Sequence, residues 1–197
     1  MDTILYFIRH GETEWNKLRR IQGHSDIDLN ALGTAQAEKL AAHLANHPFA
    51  AVYSSDLKRA HTTAQKIVQQ TGRPLPHQTF QELRERCYGE WEGLTYEEIR
   101  AKFTEPVSDE KVYGIEAFEA MQIRANECLT KLAQKHPNEM IAVVSHGGLI
   151  NAFLHYVTGG EQGTGITRID NTSVSVFRFQ TNSWEVLHVN DTTHLIE

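Results

Sequence analysis

The stretch Thr3-Ile4-Leu5-Tyr6-Phe7-Ile8-Arg9-His10-Gly11 decides the reading of this 197-residue chain. Its first six residues form a short apolar run rich in β-formers, which predicts a buried strand. The run breaks directly into Arg9-His10-Gly11. The same grammar recurs at 141–145, Ile-Ala-Val-Val-Ser, which breaks into His146-Gly147-Gly148. A third short run, 51–54, leads into Ser55-Asp56-Leu57-Lys58-Arg59. Helical periodicity fills the intervals. Asn30 is placed to cap a helix reaching about Asn46, with Ala37, Leu40, Ala41 and Leu44 on one stripe. Residues 57–70 read as a helix closed by Thr71-Gly72-Arg73-Pro74. Residues 115–135 form a long helical pattern that stops at His136-Pro137, and 149–157 a shorter one. The period then changes to two: 173–180 and 184–190 alternate around Thr181-Asn182-Ser183, a hairpin. Strands alternating with helices predict a three-layer α/β/α sandwich, its sheet mainly parallel with an antiparallel edge. Ligands of such sheets bind beyond the carboxyl ends of the strands, where His10 and His146 both fall.

Bulk properties narrow the function. Length and 40% hydrophobic content suit a single domain over 1–197. No apolar run is long enough to span a membrane, and the N-terminus lacks the basic flank of a signal peptide. Cys87 and Cys128 show no metal or redox spacing and read as free thiols of a cytoplasmic protein. A net charge of −6 disfavours nucleic acid and anionic membranes as partners. An anionic ligand would therefore depend on a few local arginines.

Four segments carry candidate chemistry. In Arg9-His10-Gly11-Glu12-Thr13-Glu14-Trp15-Asn16, arginine is a planar fork suited to phosphate. Histidine becomes a nucleophile when a neighbour fixes its tautomer. Glycine lets the backbone approach a ligand closely. Ser54-Ser55-Asp56-Leu57-Lys58-Arg59-Ala60 runs from a strand end into a helix start, where N–H groups favour anions; alone it is a weak signal, since most arginines near helix starts are solvated surface. The acids of Leu83-Arg84-Glu85-Arg86-Cys87-Tyr88-Gly89-Glu90-Trp91-Glu92-Gly93 could be plain surface charge. A histidine such as His146 after a buried strand is as often structural as functional. The remaining histidines show no zinc-ligand spacing, so no metal site is expected.

Together, in this order and over nearly the whole chain, the four segments resemble the histidine phosphatase superfamily, the phosphoglycerate mutase-like family. Ile21-Gln22-Gly23 and Asp28-Leu29 look like its small broad-specificity phosphatase branch. The resemblance implies His10 as the nucleophile that becomes phosphohistidine, and Arg9, Arg59 and His146 as the lining of a phosphate pocket with Gly147. It implies Glu85 as general acid, and Asn16 with Gln22 or Gly23 as further phosphate contacts. Thr62 and Ala117 depart from the common pattern, which has Gln or Glu and Ser there, and bear on substrate contacts. Segment 94–114 would be a short cap within the domain.

The chemistry is coherent without the family. Phosphoryl transfer requires in-line positioning and charge on the equatorial oxygens to be met. Arg9, Arg59 and a protonated His146 would meet it with neither metal nor cofactor. The same cations favour neutral His10. A carboxyl beside a bound phosphate dianion is pushed towards its protonated form, so Glu85 would protonate the leaving alkoxide and later activate water. The expectation is a metal-independent phosphomonoesterase acting on a small-molecule phosphate ester. A cofactor-dependent phosphoglycerate mutase is the nearest alternative and a non-catalytic phosphate-binding module the other. In 94–114, Arg100, Lys102 and Lys111 face Glu97, Glu98, Glu105, Asp109 and Glu110. A short, net acidic cap suits a bulkier or less charged alcohol better than a mutase's small acid. Oligomeric state is not legible.

Overall fold

A computed structural model describes residues 2–103 and 110–196. Strand β1 (Thr3–Arg9) is followed by a one-turn helix α1 (Glu14–Lys17) and by α2 (Ala31–Leu44). Then come β2 (Phe49–Ser55), α3 (Lys58–Gln70), β3 (His77–Phe80) and α4 (Tyr96–Lys102). Helix α5 (Phe118–Lys135), β4 (Met140–Ser145) and α6 (Gly147–Val157) precede the hairpin β5 (Val174–Gln180) and β6 (Ser183–Asp191). The six strands form one sheet in the order β3-β2-β4-β1-β5-β6. The first four run parallel, and β5 and β6 run antiparallel to their neighbours.

Side-chain alternation divides the core into two layers. Leu5 and Phe7 of β1 and Ile141 and Val143 of β4 pack under α5 and α6, against Leu129, Phe153 and Phe177. Ile8, Ala142 and Val144 face the other way, under Leu40 and Leu44 of α2 and Ala60, Ala64 and Ile67 of α3. The fold is thus the three-layer sandwich expected. Asn30 caps α2 through the N–H of Gly33 (2.8 Å). The hairpin turn is tighter than the sequence reading: Thr181 and Asn182 both have positive φ, +48° and +59°, the two-residue geometry that matches strand twist. Strand β3, His-Gln-Thr-Phe, escaped the sequence reading because its polar residues carry no apolar period.

Topology places the site. Strands β1 and β4 are parallel neighbours. The chain leaves β1 towards α2 on one face and leaves β4 towards α6 on the other. Divergent connections open a crevice at the carboxyl ends of these two strands. His10 and His146 directly follow these two strand ends. Among the described residues, no helix is long and apolar enough to cross a membrane. Cys87 and Cys128 are free, and burial pushes the Cys128 thiol up to about 12.

Away from the crevice, a turn at Thr193–Leu195 packs on α2. It closes a small cavity of about 170 Å³ lined by Tyr6, His43, His47, His188, Asp191 and His194. Burial and the neighbouring His43 pull His194 down to about 4, with Lys39 adding and Asp191 opposing. In the unfolded chain it titrates at about 6.5. Between these values only the unfolded chain holds the proton, so this contribution to stability is complete above about pH 6.5 and is lost as the pH falls towards 4. Thermal melts should therefore show a smaller drop in Tm from pH 7 to pH 5 in His194→Asn than in the parent chain. Parallel profiles would refute this assignment.

Candidate active site

His10 is buried, 3% exposed, just past β1. Its Nδ1 lies 2.6 Å from the carbonyl oxygen of Gly11. A carbonyl only accepts, so Nδ1 carries the proton and Nε2 keeps a bare lone pair. Burial, then Arg59 and Arg9, hold the imidazole well below its usual range, which keeps it neutral. Its backbone is clamped too: the N–H donates to Ser145 O (3.0 Å), and the carbonyl accepts from Asn171 Nδ2 (3.0 Å) and Thr172 N (3.3 Å). A Cβ on Gly11 would fall 2.4 Å from Gly33 O, and one on Gly33 1.9 Å from Glu12 O. The close approach that glycine permits here is thus to the first turn of α2, where the sequence reading assigned it to a ligand.

Arg59, in the first turn of α3, is 1% exposed. Its Nη1 and Nη2 donate to the carbonyls of Ser25 and Gly23, both at 2.8 Å. Its Nε donates to His146 Nδ1 (3.2 Å). Burial lowers its pKa to about 10, still a cation at neutral pH. The bond to Nδ1 requires a lone pair there, so His146 is neutral and carries its proton on Nε2. Burial, Arg59 and His10 likewise hold His146 well below the usual range. The sequence expectation of a protonated His146 is corrected accordingly: its positive neighbours leave it a neutral donor. Its ring centroid lies 5.2 Å from that of His10. Arg9 bonds Ile169 O through Nη1 (2.6 Å). Arg9 Nε and His146 Nε2 are both buried without a hydrogen-bond partner among the described residues. Buried donors rarely stay unpaired.

Both carboxylate oxygens of Glu85 accept backbone N–H bonds, from Arg86 (2.8 Å) and from Gly148 in α6 (2.9 Å). A Cβ on Gly148 would lie 2.3 Å from Glu85 Oε1, so the second glycine of His146-Gly147-Gly148 makes room for this acid. A Cβ on Gly147 would lie 3.3 Å from Arg9 Nε. The segment bearing Glu85 is held by residues the sequence reading did not single out. Arg124, paired with Glu116 at 2.5 Å, donates to the carbonyls of Glu82, Arg84 and Glu85. Arg84 grips Asp56 through two bonds, and Ser145 Oγ donates to Leu83 O. Glu92 is also a brace. It accepts from the N–H groups of His24, Ser25 and Tyr88 and from Ser25 Oγ. It thereby fixes the loop whose carbonyls hold Arg59.

Arg9, His10, Asn16, Gln22, Gly23, Arg59, Glu85, Gly147 and Gly148 line a pocket of about 440 Å³, whereas His146, expected in the lining, is fully buried and is not part of its wall. Asn16 Oδ1 accepts from Thr13 N (3.1 Å), and Gln22 Oε1 lies 2.9 Å from Thr13 Oγ1. Their NH₂ groups remain as donors. Trp15, Arg19, Arg20, Tyr88, Tyr96 and Asn151 complete the outer part. Four arginines against one lining carboxylate make the pocket locally positive in a chain of net charge −6. Among the described residues, no group of three or more His, Cys, Asp or Glu side chains is placed to hold a metal ion.

A sequence profile of the histidine phosphatase superfamily, branch 1, matches residues 5–192. The chain belongs to this superfamily. Its enzyme class is phosphatase. Phosphoglycerate mutase-like protein 4 of Arabidopsis thaliana is 38% identical over 96% of this chain and 86% of its own length. The metal-independent phosphoserine phosphatase of the same plant is 35% identical over 98% and 83%. The solved structure of Bacillus stearothermophilus YhfR superposes with a TM-score of 0.87 at 29% identity, covering 98% of this chain and 99% of that one.

Thr62 and Ala117, read as bearing on substrate, lie off the pocket: Thr62 donates to Asp28 (3.2 Å), and Ala117 is the N-cap of α5. Glu12 is half-buried and accepts from Asn30 (2.9 Å), whereas Glu90 is exposed. Of the segment 94–114, α4 is capped by Thr95 and Glu98 and anchored by buried Ile99. Tyr96 is its only described residue lining the pocket. Glu105, Val107 and Asp109 lie outside the described residues.

Proposed function

We propose that this chain is a metal-independent phosphomonoesterase working through a phosphohistidine on His10. The observation that carries the reading is the bare Nε2 of a neutral, clamped His10 beside two buried, unpartnered donors, Arg9 Nε and His146 Nε2. Three non-bridging oxygens of a phosphate ester would satisfy such donors, with help from Arg59 and from the amides of Asn16 and Gln22. Gly23 contributes by fixing Arg59, and Gly147 by opening the N-terminus of α6 to the anion.

In the first step the Nε2 lone pair attacks phosphorus and the bond to the ester oxygen breaks. Glu85 acts as the general acid and gives a proton to the departing alkoxide. In the second, the Glu85 carboxylate takes a proton from water as that oxygen attacks phosphorus, and the P–N bond breaks to release phosphate. The cations and donors stay fixed throughout, so stabilisation needs no reorganisation. The substrate in this reading is a small phosphate ester in the cytoplasm, and neither nucleic acid nor membrane is a partner. Tyr96 alone reaches the pocket from the described part of 94–114, and in this reading water is the phosphoryl acceptor.

The test follows inorganic phosphate release and conversion of 3-phosphoglycerate to 2-phosphoglycerate together, with and without a bisphosphoglycerate primer and a chelator. Hydrolysis should dominate and survive chelation. Isomerisation outrunning hydrolysis of the best ester would replace this reading with a mutase, and chelator-sensitive turnover restored by a divalent ion would end its metal-free part.

A further inference from the structure

The reaction above accounts for the phosphorus and leaves the alcohol unread. Helix α1 ends in a turn where the N–H of Arg19 donates to Asn16 O (3.1 Å) and that of Arg20 to Trp15 O (2.8 Å). This pair of bonds is a Schellman ending, which places one residue in the left-handed region. That residue is Arg19, with φ +55°. Glycine fits such a position without penalty, and a residue with a Cβ is strained there. This chain nevertheless carries arginine, and its side chain lines the same pocket as His10.

The other pocket arginines are committed. Arg9 and Arg59 bond backbone carbonyls beside His10 and His146. Arg20 bonds Gly93 O (2.6 Å) and Glu98 (2.7 Å). Arg19 is exposed and makes no ion pair or side-chain hydrogen bond among the described residues. Glu97 lies within its electrostatic reach, but is fully solvated and set against Arg100 at 3.7 Å. Trp15, Tyr88 and Tyr96 are aromatic members of the same pocket wall. We propose that Arg19 is a specificity-determining residue that binds a second anionic group, a carboxylate, on the alcohol portion of the substrate. This rests on the phosphomonoesterase reading of the pocket. It also revises the expectation of a less charged alcohol, which weighed only the charges of 94–114 and not those arriving from the end of α1.

The test compares two esters of one skeleton, 3-phosphoglycerate and glycerol 3-phosphate, which differ by a carboxylate in place of a hydroxymethyl group. Phosphate release gives kcat/KM for each, and calorimetry gives their Kd values. The parent chain should favour the carboxylate about tenfold, the scale of one charge-assisted contact. Arg19→Gly should bring the ratio near one while melting no lower than the parent, and Arg19→Lys should retain part of the preference. Equal ratios in parent and Arg19→Gly, in both turnover and binding, overturn the assignment and leave the phosphatase reading standing. A chain that hydrolyses neither ester yet loses the binding preference in Arg19→Gly upholds Arg19 and defeats the phosphatase reading.

Discussion

Replacing His10 with alanine is expected to lower kcat by about 10⁴-fold or more, the scale of losing a nucleophile with no substitute nearby. The expectation follows from the tautomer. Gly11 O fixes the proton on Nδ1, and no other described group in the pocket offers a neutral nitrogen lone pair beside Arg9 and Arg59. His146 spends its Nδ1 lone pair on Arg59 Nε, so it cannot take over. His10 is buried, so the variant's near-native melt must be checked first; His10→Asn, closer in volume, serves as a second variant. The pH dependence carries a sign as well. Burial, Arg59 and Arg9 depress the His10 pKa, so the reactive neutral form persists below about pH 6.5, where a free imidazole would be half protonated. The acid limb of kcat/KM should contain no step from His10 at that pH; a step from the ester's own second ionisation, at about pH 6, moves with the ester used. Steady-state rates across pH 4–9, with alkyl and aryl phosphates, check both statements.

Glu85→Gln should divide substrates by leaving group. An alkoxide cannot depart without a proton, and positioned acids contribute about 10²–10⁴-fold. Alkyl phosphates should lose turnover on that scale, and 4-nitrophenyl phosphate, whose leaving group needs no proton, far less. Glutamine also keeps only one acceptor where the carboxylate serves two N–H groups, of Arg86 and Gly148. A uniform loss across leaving groups would mean that the change acts by displacing the segment, and the acid role would have to pass to another residue.

How much of this was legible in the sequence depends on how local the signal is. The buried strands announced themselves because β1 and β4 are continuous apolar runs, as interior parallel strands must be. The residues at their ends were found because topology alone sends ligands there. Strand β3 was missed because an edge strand of four residues, half of them exposed, needs no apolar period. Arg124, Glu116 and Asn171 were missed for a different reason. Each acts through partners distant in sequence: Arg124 holds carbonyls some forty residues upstream, and Asn171 holds His10 O. No local motif encodes such pairings. Nothing local in Asn171-Thr172-Ser173 marks this role, though Thr172 stands at φ +58° and both Asn171 Nδ2 and the N–H of Thr172 donate to His10 O. The protonation state of His146 was likewise out of reach, because it is set by the 3.2 Å contact with Arg59 across the crevice. Arg19 was passed over because a positive φ is invisible until the end of α1 is seen.

In the proposed reaction the phosphoryl group is transferred to one particular nitrogen. Rapid quench of the parent chain with labelled ester, under alkaline conditions that preserve phosphoramidates, isolates the intermediate. Peptide mapping and phosphorus NMR then locate it. The structure predicts an acid-labile, base-stable phosphoryl group on Nε2 of His10, because Nδ1 is held by Gly11 O. Label on Nδ1, on His146, or on a serine or cysteine would contradict the account.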